Sequence, residues 1–257
     1  MIISHKYKFL FIGLPFSASS AISKELHLEY DGKPYLRKHS LYHEFENVAT
    51  KAELEYFVFA VLRNPMEIAV TVYEKMKANA KGNFTKPELF SENGGHISKQ
   101  QRQKFNYIKD NNSSFQQYFK KFHQKPYDNL SSLTIDDCDF VINYETIAED
   151  YLLALKKAGV SNPKPLPVAN KTAGKNNDLL VYYTNDIKEI SIAIFGPFLE
   201  KYNYSFPEEW GKVKIPLKSK LEFLVLGVLR KLNQKYFKKT KGKISLEGTI
   251  YGDMQRN

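Results

Sequence analysis

The apolar positions of this chain follow two periods, and the alternation between them predicts most of its elements. Nearly continuous apolar runs occur at YKFLFIG (7–13), EYFVFAVLRNP (55–65) and CDFVINYE (138–145). Runs of this kind read as strands buried on both faces of a sheet. Between them, apolar residues recur at three- and four-residue steps. Residues 18–30 read as a helix capped by Ser17 or Ser19. Pro65 suits the first turn of the next helix, carried to about Ala78 by Ile68, Val72, Tyr73 and Met76. TIAEDYLLALKKAGV is an amphipathic helix closed by Gly159. YLRKH (35–39) is a short strand candidate, and SLYHEFENVA a short helix begun by Ser40. Two polar helices are expected near 98–108 and 113–123, and two more near 183–194 and 196–203. Residues 79–96 and 162–177 are turn-rich.

Strands alternating with helices imply an α/β fold with a mostly parallel sheet and helices on both faces. Ligands in such folds bind beyond the carboxyl ends of the strands. From Pro216 the pattern changes. Leu217, Leu221, Leu224, Val225, Val228, Leu229 and Leu232 keep helical steps, and between 218 and 243 nine lysines and arginines face one acid, Glu222. The organisation expected is an α/β domain over 1–210 and a basic amphipathic extension over 211–257.

Composition narrows the partners. The chain has 257 residues, 42% apolar, with 17 Tyr and 18 Phe, enough for a sizeable core. The net charge of +10 suits an anionic partner: a nucleotide, a polyanionic glycan or an acidic membrane surface. No RNA-binding signature accompanies the charge, so nucleic acid is not an expected partner. One cysteine, Cys138, excludes an internal disulfide, and no metal site is expected. Cys138 enters an apolar run and reads as a packed small hydrophobe rather than a nucleophile. The N-terminal apolar run is too short to span a bilayer and lacks a small-residue cleavage site, so a cytoplasmic protein is expected.

The chemistry concentrates at two junctions. In FIGLPFSASSAI a strand ends in a tight turn and a helix begins. The unpaired N–H groups and dipole of such a helix favour an anion, and Ser17, Ser19 and Ser20 add hydroxyls. The same serines would also serve simply as helix caps. No Gly-Lys-Ser/Thr follows the strand and no Gly-x-Gly-x-x-Gly is present, which disfavours an ordinary P-loop ATPase or a dinucleotide fold. In VLRNPMEIAVTVY, Arg63 ends a strand and can fork onto a phosphate. Thr71 lies about two turns into the following helix. An ordinary ion pair of Arg63 with Glu67 is the plain alternative.

Together YKFLFIGLPFSASSAI and FVFAVLRNPMEIAVTVYEKM resemble the two nucleotide-binding signatures of the PAPS-dependent sulfotransferases, most closely the carbohydrate, heparan-type family 2 branch. DFVINYETIAEDYLLALKKAGV, LPVANKT and YYTNDIKEISIAIFGPFLEKYNYSFP follow in the same order, so the likeness covers roughly residues 6–207. It implies a P-loop NTPase-like sulfotransferase fold. It also implies that Pro15, Phe16, Ser17, Ala18, Ser19, Ser20 and Ala21 hold the 5′-phosphosulfate of PAPS. Arg63 and Thr71 would bind the 3′-phosphate, and Lys171 and Thr172 of the NKT loop would close over the donor or line the acceptor channel. The acceptor implied is a hydroxyl of a glycan or glycolipid, and PAP is the product. A base must take the acceptor's proton. His39 is the first candidate because imidazole titrates near working pH. His43 is the second, and Glu44 a weaker third. Lys38 and Arg37 flank the site.

One position departs from the family. A basic residue usually follows the proline of the first motif and steadies the leaving phosphate; here it is Phe16. Ser17, Ser19 and Ser20 with helix N–H groups, or Lys38 or Arg37 from the neighbouring segment, are the replacements available, whereas Lys24 lies about two turns inside the helix. Phe16 also supports a second reading, a weakened relative that binds PAP-like nucleotides or anionic glycans without transfer. The basic helix over 216–243 has three readings: it packs its apolar side on the core, lies on an anionic membrane, or holds a polyanionic acceptor or partner helix.

Overall fold

The computed structural model describes residues 1–127, 130–167 and 174–237, with Tyr251, Gly252 and Met254. The chain divides into two compact units. The first comprises Met1–Arg63, Asp128–Ala169 and Gly227–Asn257; the second comprises Asn64–Tyr127 and Asn170–Leu226.

The first unit is α/β. Its strands are β1 (Ile2–Ser4), β2 (Phe9–Ile12), β3 (Lys33–Pro34), β4 (Phe57–Leu62) and β5 (Phe140–Asn143), in the order β3-β1-β2-β4-β5. β2, β4 and β5 run parallel, pairing Phe11 with Phe59 and Ala60 with Val141. β1 is antiparallel to both β2 and β3. The sheet is therefore mixed, not mostly parallel. The reason is local: only a short turn separates β1 from β2, which permits a hairpin but no crossover.

Three helices belong to this unit: α1 (Ser19–Glu29), α2 (Tyr42–Glu46) and α6 (Ile147–Lys157). Alternate residues of the central strands, Phe9, Phe11, Phe59, Val61 and Ile142, form one core with Ile22 and Leu26 of α1 and Tyr151, Ala154 and Leu155 of α6. The residues between them, Leu10, Ile12, Val58 and Ala60, are buried as well, which accounts for the unbroken apolar runs. β5 is less buried than its composition suggests because it lies at a sheet edge, with Asn143 exposed. The strand expected at 35–39 is replaced by β3 one step earlier, where Lys33 and Pro34 pair with Ile3 and Ile2. The helix expected from Ser40 begins at Tyr42, because the Glu44 carboxylate accepts the Leu41 N–H at 2.9 Å and fixes the start there.

The second unit is helical: α3 (Pro65–Lys77), α4 (Lys99–Asp110), α5 (Phe115–Phe122) and α7 (Asn185–Lys201). Its core is aromatic, joining Tyr73, Phe115, Tyr118, Phe119, Tyr183, Phe195 and Trp210. Buried phenols are satisfied by carbonyls: Tyr73 donates to Ser113 O at 2.8 Å and Tyr183 to Met66 O at 3.0 Å. The two helices expected over 183–203 are one. Pro197 sits inside α7, and the nearby Ile194 carbonyl accepts the Tyr127 N–H at 2.7 Å. α8 (Leu217–Leu232) follows, its residues up to Leu226 counted with this unit and those from Gly227 with the first. Among the described residues, no helix is long and apolar enough to cross a membrane.

Candidate functional site

The turn after β2 is built from left-handed backbone. Phe16 has φ +64° and Ala18 φ +53°, conformations rare for residues with a Cβ. Left-handed residues in a tight turn aim successive N–H groups to one side, the arrangement of an anion nest. α1 then starts with no side chain accepting its first N–H groups and no acid in its first turn. The expectation that Ser17 or Ser19 caps α1 is corrected. The N-cap position is Ala18, and Ser17 donates instead to Pro15 O at 3.3 Å, tightening the turn. Ser17 and Ser19 are buried, while Ser20 and Ala21 are half-buried. The helix start thus keeps the donor character that a cap would have quenched.

The segment 37–39 lies against this turn. Lys38 Nζ donates to Ser20 Oγ at 2.6 Å, which places an ammonium on the first turn of α1. His39 Nδ1 lies 2.6 Å from Gly13 O. A carbonyl only accepts, so Nδ1 carries the hydrogen and Nε2 of the neutral ring keeps its lone pair. Burial, then the neighbouring Lys38 charge, pushes the His39 pKa down to about 4, outweighing the opposite pull of the Gly13 carbonyl. The ring is therefore neutral at pH 7 and oriented as a proton acceptor. Gly13 eases this approach: a Cβ there would stand tightly, 3.1 Å from Ser19 Cβ and 3.2 Å from Lys38 O.

The other basic residues divide. Arg63, buried at the end of β4, donates from Nη1 to Phe16 O at 3.1 Å, and its guanidinium stacks 4.2 Å from the Tyr144 ring centroid. It thereby joins the turn to the strand end of β5. Arg37 pairs with Glu44 on α2, so its charge is partly neutralised. His43 lies on α2, apart from the turn contacts of Lys38 and His39. Lys24 is exposed on α1. The Phe16 side chain is exposed while its carbonyl is held by Arg63. The Cys138 thiol is pushed up to about 12 by burial and then by Asp137, Asp139 and Asp136, which leaves it protonated and non-nucleophilic.

Thr71 belongs to the second unit, on α3. It is buried, and its Oγ1 has no hydrogen-bond partner there. An unmatched buried hydroxyl costs about 1–3 kcal/mol, which a ligand oxygen would recover. Its neighbours one turn away on the same helix face are Glu67 and Glu74. Lys175 pairs with Glu67, and Glu74 bonds to Tyr182. Lys171 and Thr172 lie outside the described residues.

The structure thus gathers Pro15–Ala21, Lys38, His39 and Arg63 into one constellation in the first unit. Sequence reasoning missed two members, Gly13 and Tyr144. The glycine was visible as the strand's last residue and Tyr144 as the aromatic ending VINY, but neither pattern alone implies its contact. Compared with known proteins, the chain matches no family model, and no curated protein or solved structure shows significant similarity to it.

Proposed function

We propose that the protein is a sulfotransferase that moves a sulfuryl group from PAPS to a hydroxyl of a glycan or glycolipid. The observation that carries this reading is the uncapped start of α1 behind a left-handed turn, with Lys38 bonded to Ser20 of its first turn and His39 held through Nδ1 on Gly13 O. The residues fit an anionic donor: no acid occupies the first turn of α1, and the N–H groups there donate to no side-chain cap. PAPS, when bound, supplies the activated sulfuryl group and a phosphate leaving group.

The chain's own residues then divide the work. The amides of 16–20 with the Ser20 hydroxyl bind the 5′ anion. Lys38 provides the fixed positive charge that Phe16 lacks, reaching the same turn from the neighbouring segment. His39 Nε2 accepts the proton of the incoming hydroxyl, and its Nδ1–H bond to Gly13 O keeps the ring aimed throughout. Arg63 holds the Phe16 carbonyl away from the anion, so that the turn presents donors rather than acceptors. Positioning, pre-aimed charge and proton acceptance by His39 together make up the catalytic contribution.

Phe16 favours a second reading, a protein that holds a PAP-like nucleotide without transferring sulfate. Radiolabelled PAPS incubated with extracted glycolipids or capsular polysaccharide separates the two. Label transfer that Arg63→Ala abolishes supports the enzyme. PAP binding by calorimetry with no transfer to any acceptor or to water supports the binder.

A further inference from the structure

α8 is amphipathic in the reverse sense to an ordinary surface helix. On a helical projection Leu217, Leu221, Leu224, Val225, Val228 and Leu229 form one continuous stripe. In a globular protein such a stripe faces the core. Here it faces outward: Leu217 is 72% exposed, Leu224 62% and Val228 58%. The buried side of the helix carries Ser219 and Phe223 instead. The helix start is pinned in this orientation by Lys220, which donates to Glu200 at 2.7 Å. The core-packing reading of this segment is therefore corrected, because the leucines are on the wrong side for it.

We infer that α8 is a docking surface for an anionic lipid bilayer, lying flat in the interface. Three observations choose this occupant. First, the helix runs from Leu217 to Leu232 and is too short and too charged to cross a bilayer, but a helix lying in the interface has no such length requirement. Second, exposed Lys218 and Lys231 project beside the apolar stripe, where they reach lipid phosphates while the leucines enter the acyl boundary. Third, the segment from 218 to 243 carries nine cations and one acid. That charge complements an acidic leaflet and opposes the pairing of two copies of the same helix. The inference does not depend on the reaction the protein catalyses.

Flotation of the full chain with phosphatidylcholine vesicles, with and without phosphatidylserine, tests it. The expected result is at least about tenfold more protein on the anionic vesicles, falling at high salt. The double variant L224E/V228E should abolish flotation without changing the circular dichroism or melting temperature, since both side chains are exposed. K218E/K231E should weaken binding to anionic vesicles specifically. Equal binding to neutral vesicles would overturn the proposal, as would unchanged flotation of both variants. A concentration-dependent dimer dispersed by L224E/V228E, with no vesicle binding by the native chain, would overturn it in favour of self-association.

Discussion

His39 shows how one hydrogen bond sets both a tautomer and a pH dependence. Its Nδ1–H is committed to Gly13 O, and its pKa is about 4 in the fold against an ordinary value of 6.5. Between those values the unfolded chain binds a proton that the folded ring does not. Stability therefore rises with pH through that window and levels off above it. His39→Gln removes this contribution, so the urea midpoint of the native chain should gain on the variant's from pH 4 to 6.5 and keep a constant lead above. A midpoint difference that opens only above neutrality would contradict the assignment. The rate has a matching signature: kcat/KM limited by His39 should stay level below 6.5, where an ordinary histidine base would already have lost activity. Gly13→Ala places a Cβ 3.1 Å from Ser19 Cβ and should cost about 1–3 kcal/mol in chemical denaturation. Phe16→Lys would place a cation where the proposed reaction puts the leaving group, without adding backbone strain, since both residues carry a Cβ at φ +64°. Sulfate transfer by this variant should rise by up to about 100-fold in a radiolabel assay; a fall would mean that Lys38 already fills the role.

Elements with a strong period were legible in the sequence, and those fixed by single tertiary contacts were not. β2, β4 and the helices α1, α3 and α6 follow from apolar runs and three- to four-residue steps. β3 does not, because two residues carry no period and its pairing with Ile2 and Ile3 alone defines it. The sequence suggests separate helices near 183–194 and 196–203, yet α7 runs through both, and Ile215 packs directly on the backbone of Gly196 within it. Gly196→Ala would bring a Cβ within 2.8 Å of Ile215 and should cost about 1–3 kcal/mol of stability, read as a lower melting midpoint. Gly227 in α8 has no atom within 4 Å of an added Cβ, so Gly227→Ala should instead stabilise by up to about 1 kcal/mol. The candidate site divides in the same way. The turn and Arg63 were readable because each closes a strand pattern. That Lys38 reaches the turn and His39 lies near it was an expectation of the family likeness, whereas their partners Ser20 and Gly13 were not readable, since those depend on where segment 37–39 comes to rest.

At the scale of the molecule, a five-stranded mixed sheet with β2, β4 and β5 parallel carries the left-handed turn proposed to bind an anion at the carboxyl end of β2. That is where an α/β sheet offers helix N-termini to a ligand. The net charge of +10 adds a long-range attraction for anions that should weaken as ionic strength rises. The central claim is that residues 16–21, with Lys38, form an anion cradle. Titrating isotopically labelled protein with PAP and following its backbone amide resonances tests this most directly. The account predicts saturable shifts at Phe16–Ala21 and at Lys38, lost in Lys38→Ala at the same PAP concentration. Saturable shifts confined to other regions, or none at all, would contradict it.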